Sequence, residues 1–455
     1  MIKKIYLSFL ISTLCYSQSI NFNEVLQQAL ENSKDLKKQA LNIDSIKQDY
    51  NIVDGINYGK LSISSEVSRT NHAGYVFNSK LSSREATFRD FGFSQMNEGM
   101  DIIPKDLNYP NDRTNINSYV SYDIPLFMGF KIENQKDILK LQEKANELLY
   151  NLDKKNLEFE ILKAYNGAVV AKDFVKALEK AKQTVEFIYE GAIEFHKNGL
   201  VTKIDINEAK VYQLNINSTL TEAKNNFNLA LAYLKYLTSN ENITDVENLE
   251  NIYFDLKNFD ELYNNALETR DEVKMQNITI EANKKNIDIQ KGSYYPTVFS
   301  HLEYGVNDDR FTASKDKDYY IALVGISLTL FDSSRSAYLE KSKIEHLKST
   351  LDYEKLKDGI KLELEKAILD YKAKQEILKE KIEAKNLAFE VLNQANLQYK
   401  NRLISMTTLL SQEANFRKSE SMLINARYEN SLALAKLNLV LGQNLNKDEK
   451  WKNYY

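Results

Sequence analysis

The sequence predicts a mainly α protein with a four-stranded β contribution, and three observations carry that reading. No proline occurs between Pro125 and Pro296, and within that span apolar residues recur at three- and four-residue steps. Four shorter stretches alternate apolar with polar residues, which is the period of a strand. The chain also repeats its own plan once, as helix, strand, strand, very long helix, sharp turn and shorter helix.

The helical stripe from 131 to 197 opens with Ile138, Leu141, Ala145, Leu148 and Leu152. It closes with Leu178, Ala181, Val185, Ile188, Ala192 and Phe195. The three-four alternation is coiled-coil-like, and a continuous helix of that length spans about 100 Å at 1.5 Å per residue. Such a rod needs parallel companions to bury its stripe. Asn198-Gly199-Leu200-Val201-Thr202 interrupts it, and a second helix is expected from 203 to 238.

The strands rest on alternation. Leu61, Ile63 and Val67 alternate with Ser62, Ser64 and Glu66, and Ile116, Val120, Tyr122, Ile124 and Leu126 alternate with Asn117, Ser121 and Asp123. Val298, Leu302 and Tyr304 alternate with His301 and Glu303, and the even positions from Tyr320 to Leu330 are all apolar. One apolar and one polar face fits a lipid-facing barrel strand and equally a half-buried strand on a soluble core. Four strands cannot close a barrel, and lipid does not tolerate an open edge. Membrane-spanning strands would therefore have to be pooled by several copies, twelve from three or eight from two.

The repeat sets Phe22 and Ala29-Leu30-Glu31 against Phe259 and Ala266-Leu267-Glu268, an offset of 237. Leu126-Phe127 matches Leu330-Phe331 at 204, and Asn198-Gly199-Leu200 matches Asn401-Arg402-Leu403 at 203. An internal duplication follows. The first copy is expected over 18–238, with a hairpin at about 60–127 carrying an inserted loop at about 74–114. The second is expected over 259–442, with a hairpin at about 296–331, a long helix at 335–400, a turn at 401–404 and a helix at 405–442. Residues 239–258 join the copies, and 443–455 form a polar tail. Phe77, Leu81, Phe88, Phe91 and Phe93 in the insertion suggest that it packs on something.

Charged residues make up 27% of the chain, while 14 Gly and 4 Pro favour long helices over a loop-rich enzyme. A net charge of −4 argues against a nucleic-acid partner. Met1-Ile-Lys-Lys, an apolar run from Ile5 to Leu14 and small residues before Gln18 suit a secretory signal over 1–17. Cys15 admits a lipoprotein reading, but Leu14 stands where lipidation wants a small residue. No stretch approaches eighteen consecutive apolar residues, so no transmembrane helix is expected. The exported chain would be periplasmic, secreted or held in an outer membrane by a β-barrel.

Nothing in the sequence reads as catalytic. His72, His196, His301 and His346 are scattered, with no metal-ligand spacing among them. There is no glycine-rich phosphate loop and no nucleophile elbow, and the carboxylates lie among lysines on helix faces. Neither a cofactor nor a metal is expected. The turns say more. Gly199 suits the left-handed end of a helix, and Thr202 with Asp205 reads as a capping box. Ser405 is the candidate N-cap of the matching turn. Leu200-Val201 and Leu403-Ile404 put apolar pairs at exposed tips, which points to a docking surface.

These features together resemble the TolC family of outer-membrane efflux channels over nearly the whole chain. Tyr294-Tyr295-Pro296 entering a strand, Leu330-Phe331-Asp332 leaving the hairpin, and Pro125-Leu126-Phe127-Met128-Gly129-Phe130 in the first copy carry the resemblance. Gly199 to Asp205 resembles the family's tip turn. The resemblance implies a homotrimer in outer-membrane lipid, with a twelve-stranded barrel continued by an α-helical barrel into the periplasm of a Gram-negative bacterium. It implies a periplasmic adaptor on Gly199, Leu200, Val201, Thr202, Arg402, Leu403, Ile404 and Ser405, and an inner-membrane transporter that supplies energy. The periplasmic entrance would be lined by Asp205, Glu208, Thr408 and Ser411. Thr408 and Ser411 depart from the acidic residues usual there. Gly59 in place of a proline and Arg402 in place of a glycine are smaller departures. The alternative is a periplasmic or secreted coiled-coil scaffold without channel activity. The duplicated strand pairs speak against that scaffold, and a periplasmic adaptor protein is disfavoured because adaptors usually have one helical hairpin and many short strands.

Overall fold

The computed structural model describes residues 18–247, 258–311 and 314–443. The expected signal segment, the apolar patches at Leu249 and Ile252–Phe254, and the tail beyond 443 lie outside the described residues. The first half holds β1 (Gln18–Ile20), α1 (Phe22–Asn32), α2 (Lys34–Gly55), β2 (Lys60–Thr70), α3 (Ala73–Ser82), α4 (Lys105–Asn108), β3 (Arg113–Phe127), α5 (Lys131–Lys197) and α6 (Lys203–Thr238). The second holds β4 (Ile243–Val246), α7 (Phe259–Thr269), α8 (Asp271–Lys291), β5 (Thr297–Asp308), β6 (Asp318–Ser327), α9 (Ser334–Lys400) and α10 (Met406–Val440). The offset of 203 carries the bounds of α5 onto those of α9, each 67 residues long. None of the described helices is long and apolar enough to cross a membrane.

One compact unit comprises residues up to 41, 146–276 and from 352 onward. Its largest core gathers Phe22, Val25 and Leu26 of α1, Ile161, Leu162 and Tyr165 of α5, Leu364 and Tyr371 of α9, and Leu434 and Leu437 of α10. β1 runs parallel to β4 across this core. The Tyr165 hydroxyl donates to the Ile20 carbonyl (3.0 Å) and accepts from the Glu247 amide (3.1 Å), so one side chain ties β1 and the residue after β4 to α5. Arg270, 8% exposed, donates to Glu363 (2.8 Å), Glu272 (2.9 Å) and the Val440 carbonyl (3.3 Å), and a buried guanidinium needs that many acceptors.

The other unit, residues 42–145 and 277–351, holds an antiparallel sheet in the order β2-β3-β5-β6. The register sorts its faces. Leu61, Tyr122, Leu302 and Ala322 form one cross-strand row, and Ile63, Val120, Tyr304 and Tyr320 the next. This apolar face is uncovered in the single chain, with Ile63 84% and Val324 71% exposed. On the opposite face stand Ser62, Ser64, Asp123, Ser121, Glu303 and His301, interrupted by Ile321 and Leu323 of β6. There the His301 ring lies between Asp123 (2.6 Å) and Glu303 (3.3 Å). Gly129, at φ +66°, leads from β3 towards α5, and a Cβ there would overlap the Gly292 carbonyl oxygen.

The hairpin exit is shorter than its alternation suggests. β6 ends at Ser327, which pairs with Thr297, the first residue of β5. Pro296 comes just before and has no N–H to extend the ladder, so Leu328, Leu330 and Phe331 lie beyond the strand. Asp332 then accepts hydrogen bonds from the amide and hydroxyl of Ser334 at the start of α9.

The insertion between β2 and β3 is built from short helical turns, with Phe77 edge-on to Phe91 at 4.8 Å and Phe88 edge-on to Phe93 at 5.5 Å. It is clamped to the turn of the second hairpin. Arg84 donates to the carbonyls of Asp316 (2.9 Å) and Asp318 (2.6 Å), and Glu85 is paired with both Arg113 and Lys317. Glu85, Asp308 and Asp309 form the one cluster of acidic side chains with metal-like spacing among the described residues. Arg113 and Lys317 sit in it, which makes it an ion-pair network. Burial alone would raise the Asp90 carboxyl, but Lys80 and the amide and hydroxyl of Thr87 hold it down at about 2. A depressed carboxylate stabilises the fold above its ordinary pKa, and that contribution is lost as pH falls through the depressed value. The insertion is therefore expected to resist pepsin at pH 4 and to be cut near Phe88 and Phe91 progressively as pH falls from the ordinary carboxylate range to about 2; cutting already at pH 4 would contradict this.

Candidate functional site

Two turns in the helical unit share one geometry. α5 ends with Gly199 at φ +66°, its amide on the His196 carbonyl (2.9 Å) and the Leu200 amide on the Phe195 carbonyl (2.8 Å). α9 ends with Arg402 at φ +61°, its amide on the Tyr399 carbonyl (2.9 Å) and the Leu403 amide on the Gln398 carbonyl (2.9 Å). Both are left-handed helix stops in which outer amides satisfy the last free carbonyls. Glycine takes that conformation freely, whereas arginine holds it at a cost of about 1 kcal/mol. Asn198 and Asn401 repeat the match, each amide group donating to the carbonyl four residues back.

The helices that follow start with different caps. Thr202 gives a capping box, in which Asp205 accepts from the Thr202 amide (2.8 Å) and hydroxyl (2.7 Å). Ser405 caps with its hydroxyl alone, accepting from the Thr408 amide (3.2 Å) and meeting the Thr408 hydroxyl at 3.0 Å. Asp205 and Thr408 are thereby engaged in their own turns. Glu208 accepts from the Thr407 hydroxyl (3.0 Å) and joins the two turns, while Ser411 is exposed.

Beneath the turns lies a core of Ile188, Ala192, Ala209, Leu392, Tyr399, Met406, Leu409 and Phe416. Ile404 packs against it and is half-buried, as is Val201. Leu403 is 72% exposed and Leu200 37% exposed, so one residue of each apolar pair faces outward. An exposed leucine carried on a rigid, capped turn is suited to apolar recognition and has no group for bond-making chemistry.

Sequence reasoning missed Glu413, which is fully buried on α10. Burial pushes its carboxyl up, partly offset by Arg417, which bonds it at 2.7 Å. Arg417 also donates to Glu420 (2.7 Å) and to the Ala177 carbonyl on α5 (3.4 Å). The spacing of four between Glu413 and Arg417 was visible, but solvated helix faces carry the same spacing.

Residues 262–443 match the family described as Outer membrane efflux protein. No curated protein sequence matches the chain. Among solved structures, the chain is similar to the CmeC outer membrane channel of Campylobacter jejuni, with 16% identity over 95% of this chain and 90% of that one, at a TM-score of 0.71. VceC of Vibrio cholerae, an outer membrane protein, is 15% identical over 93% and 97%, at 0.73. The open-state MtrE outer membrane channel of Neisseria gonorrhoeae is 15% identical over 94% and 90%, at 0.74. The largely helical fold with few strands is thus that of outer-membrane efflux channels, and the resemblance to the TolC family stands.

Proposed function

We propose that this chain, a TolC-like protein with the fold of outer-membrane efflux channels, is the passive exit duct of a tripartite efflux or secretion system. It sits in the outer membrane of a Gram-negative bacterium and extends into the periplasm. The observation that carries the reading is the four-stranded sheet. Its apolar face is uncovered, and its outer strands β2 and β6 have no further partner among the described residues. Lipid covers such a face but does not tolerate such edges, so neighbouring copies must supply the missing strands. Three copies give a twelve-stranded barrel, the number that the TolC resemblance implies.

The helical unit then lines the periplasmic part of the duct. A periplasmic adaptor docks on the turns at Gly199 to Thr202 and Arg402 to Ser405, and an inner-membrane transporter supplies the energy. Asp205, Glu208, Thr408 and Ser411 surround the entrance. The duct opens because the adaptor binds its open state better, which shifts the population. A scaffold without channel activity has no use for an uncovered apolar sheet face.

The test is membrane fractionation with unheated against boiled gel electrophoresis of the full chain. The expected result is a heat-sensitive band of trimer mass in the outer-membrane fraction. A soluble monomer would overturn the proposal.

A further inference from the structure

We infer that the insertion between β2 and β3 carries a binding site for a phosphorylated sugar, in a cleft formed by α3, α4 and the turn at Phe88–Phe91. The cleft has a volume of about 520 Å³ and lies wholly within one chain. Its walls are fixed before any ligand arrives. A Cβ on Gly92, at φ +80°, would overlap the Pro104 ring, the Lys105 amide donates to Gln95 (2.7 Å), and the Ser94 hydroxyl donates to Asp106 (3.1 Å). These contacts hold α4 against the turn, so little ordering remains to be done on binding.

Every carboxylate that lines the cleft already faces a donor from the chain. Asp90 accepts from the Thr87 amide (2.8 Å) and pairs with Lys80, and Asp112 accepts from Arg69 (2.6 Å). Asp106 has the Ser94 hydroxyl, and Asp309 lies 3.6 Å from Arg310. Arg113 is engaged by Glu85. The Arg89 guanidinium and the Lys105 ammonium line the same cleft, stand exposed, and have no partner among the described residues. The Tyr109 hydroxyl has none either, and that residue is 76% exposed.

Two uncompensated cations are matched in charge by a phosphomonoester, which carries roughly −1.5 to −2 at pH 7 and three acceptor oxygens. Arginine meets phosphate with a two-pronged fork and lysine as a point charge. A bare anion fits the rest of the cleft poorly, because Asp106 and Asp112 also line it. Their remaining lone pairs accept from hydroxyl groups. A sugar phosphate uses both halves of the cleft, with its phosphate on Arg89 and Lys105, its hydroxyls on the carboxylates and a ring face on Tyr109. β2 and β3 meet the helices at their other ends, so in the duct proposed above the insertion stands at the outer surface. That placement rests on the duct reading, whereas the cleft itself does not.

The experiment is calorimetric titration of the detergent-solubilised full chain with glucose 6-phosphate, inorganic phosphate and glucose. Glucose 6-phosphate is expected to bind, inorganic phosphate about tenfold more weakly for want of the hydroxyl contacts, and glucose not at all. Arg89→Ala with Lys105→Ala should weaken glucose 6-phosphate about a hundredfold, and Arg89→Lys, which keeps the charge and loses the fork, about tenfold. Both side chains are exposed and unpaired, so the variants should fold as the parent does. Unchanged affinity in the double variant would overturn the site, and equal affinity for inorganic phosphate would overturn the sugar. Phosphatidylcholine vesicles with and without lipid A separate the sources. Retention on lipid A vesicles alone, competed by glucose 6-phosphate, makes the ligand a lipid headgroup, and no retention makes it a free sugar phosphate. Absence of the heat-sensitive trimer would overturn the duct and leave the titration readable, since the cleft lies within one chain.

Discussion

Replacing Tyr165 by alanine is expected to cost the protomer roughly 3–5 kcal/mol, the range for deleting a large buried aromatic side chain. Tyr165 is 1% exposed and its ring meets Phe22 edge-on at 5.6 Å. Its hydroxyl joins α5 to Ile20 of β1 and to Glu247, the residue after β4. Burial pushes the phenol up, so it stays a protonated donor at any pH the protein meets. Tyr165→Phe keeps the ring and leaves the Glu247 amide on the Ile20 carbonyl (3.2 Å), so only the hydroxyl's own hydrogen bonds are lost, which should cost about 0.5–1.5 kcal/mol. Urea unfolding of the detergent-solubilised protein checks both, and the order matters. If the phenylalanine variant were as damaged as the alanine variant, the hydroxyl and not the ring would be the main tie.

The helices were legible because the absence of proline and the three-four stripe act over dozens of residues, where local noise averages out. The sheet was legible through period two, but its end was not. Leu328, Leu330 and Phe331 continue the alternation of β6, yet the ladder stops where Pro296 ends the partner strand, and a single strand's pattern contains no information about its partner. The insertion shows the same limit more strongly. Its aromatic residues were plain in the sequence, while the clamp from Arg84 to the carbonyls of Asp316 and Asp318 spans more than two hundred residues. No local signal can announce such a contact.

At the turns the legible part was chemical. Thr202 and Asp205 have the spacing of a reciprocal cap, and Gly199 the freedom of a left-handed stop. Arg402 announces neither, and only its alignment with Gly199 points to a positive φ. Glu413 illustrates the opposite case. It looks like Glu194 beside Lys197, a pair that is 64% exposed on both sides, and burial alone separates them.

Charging both outward leucines, as Leu200→Asp with Leu403→Asp, is expected to abolish adaptor-dependent efflux while leaving the trimer intact. Leu403 and Leu200 stand outside the tip core, and the caps that fix the turns are made by Thr202, Asp205 and Ser405, so the fold does not depend on these two side chains. An apolar contact at the centre of an interface is worth about 2 kcal/mol when it is a hot spot. Losing two weakens docking by about a thousandfold, since each 1.4 kcal/mol is a factor of ten. Ile404→Asp is the contrasting variant. Its side chain packs on the tip core, so the charge should loosen the turn itself and lower the temperature at which the trimer dissociates on a gel. Efflux that survives the double aspartate variant, with the trimer present at normal abundance, would remove the outward leucines from adaptor binding. Docking would then fall to the polar rim of the turns, where Asn198, Lys203 and Asn401 remain.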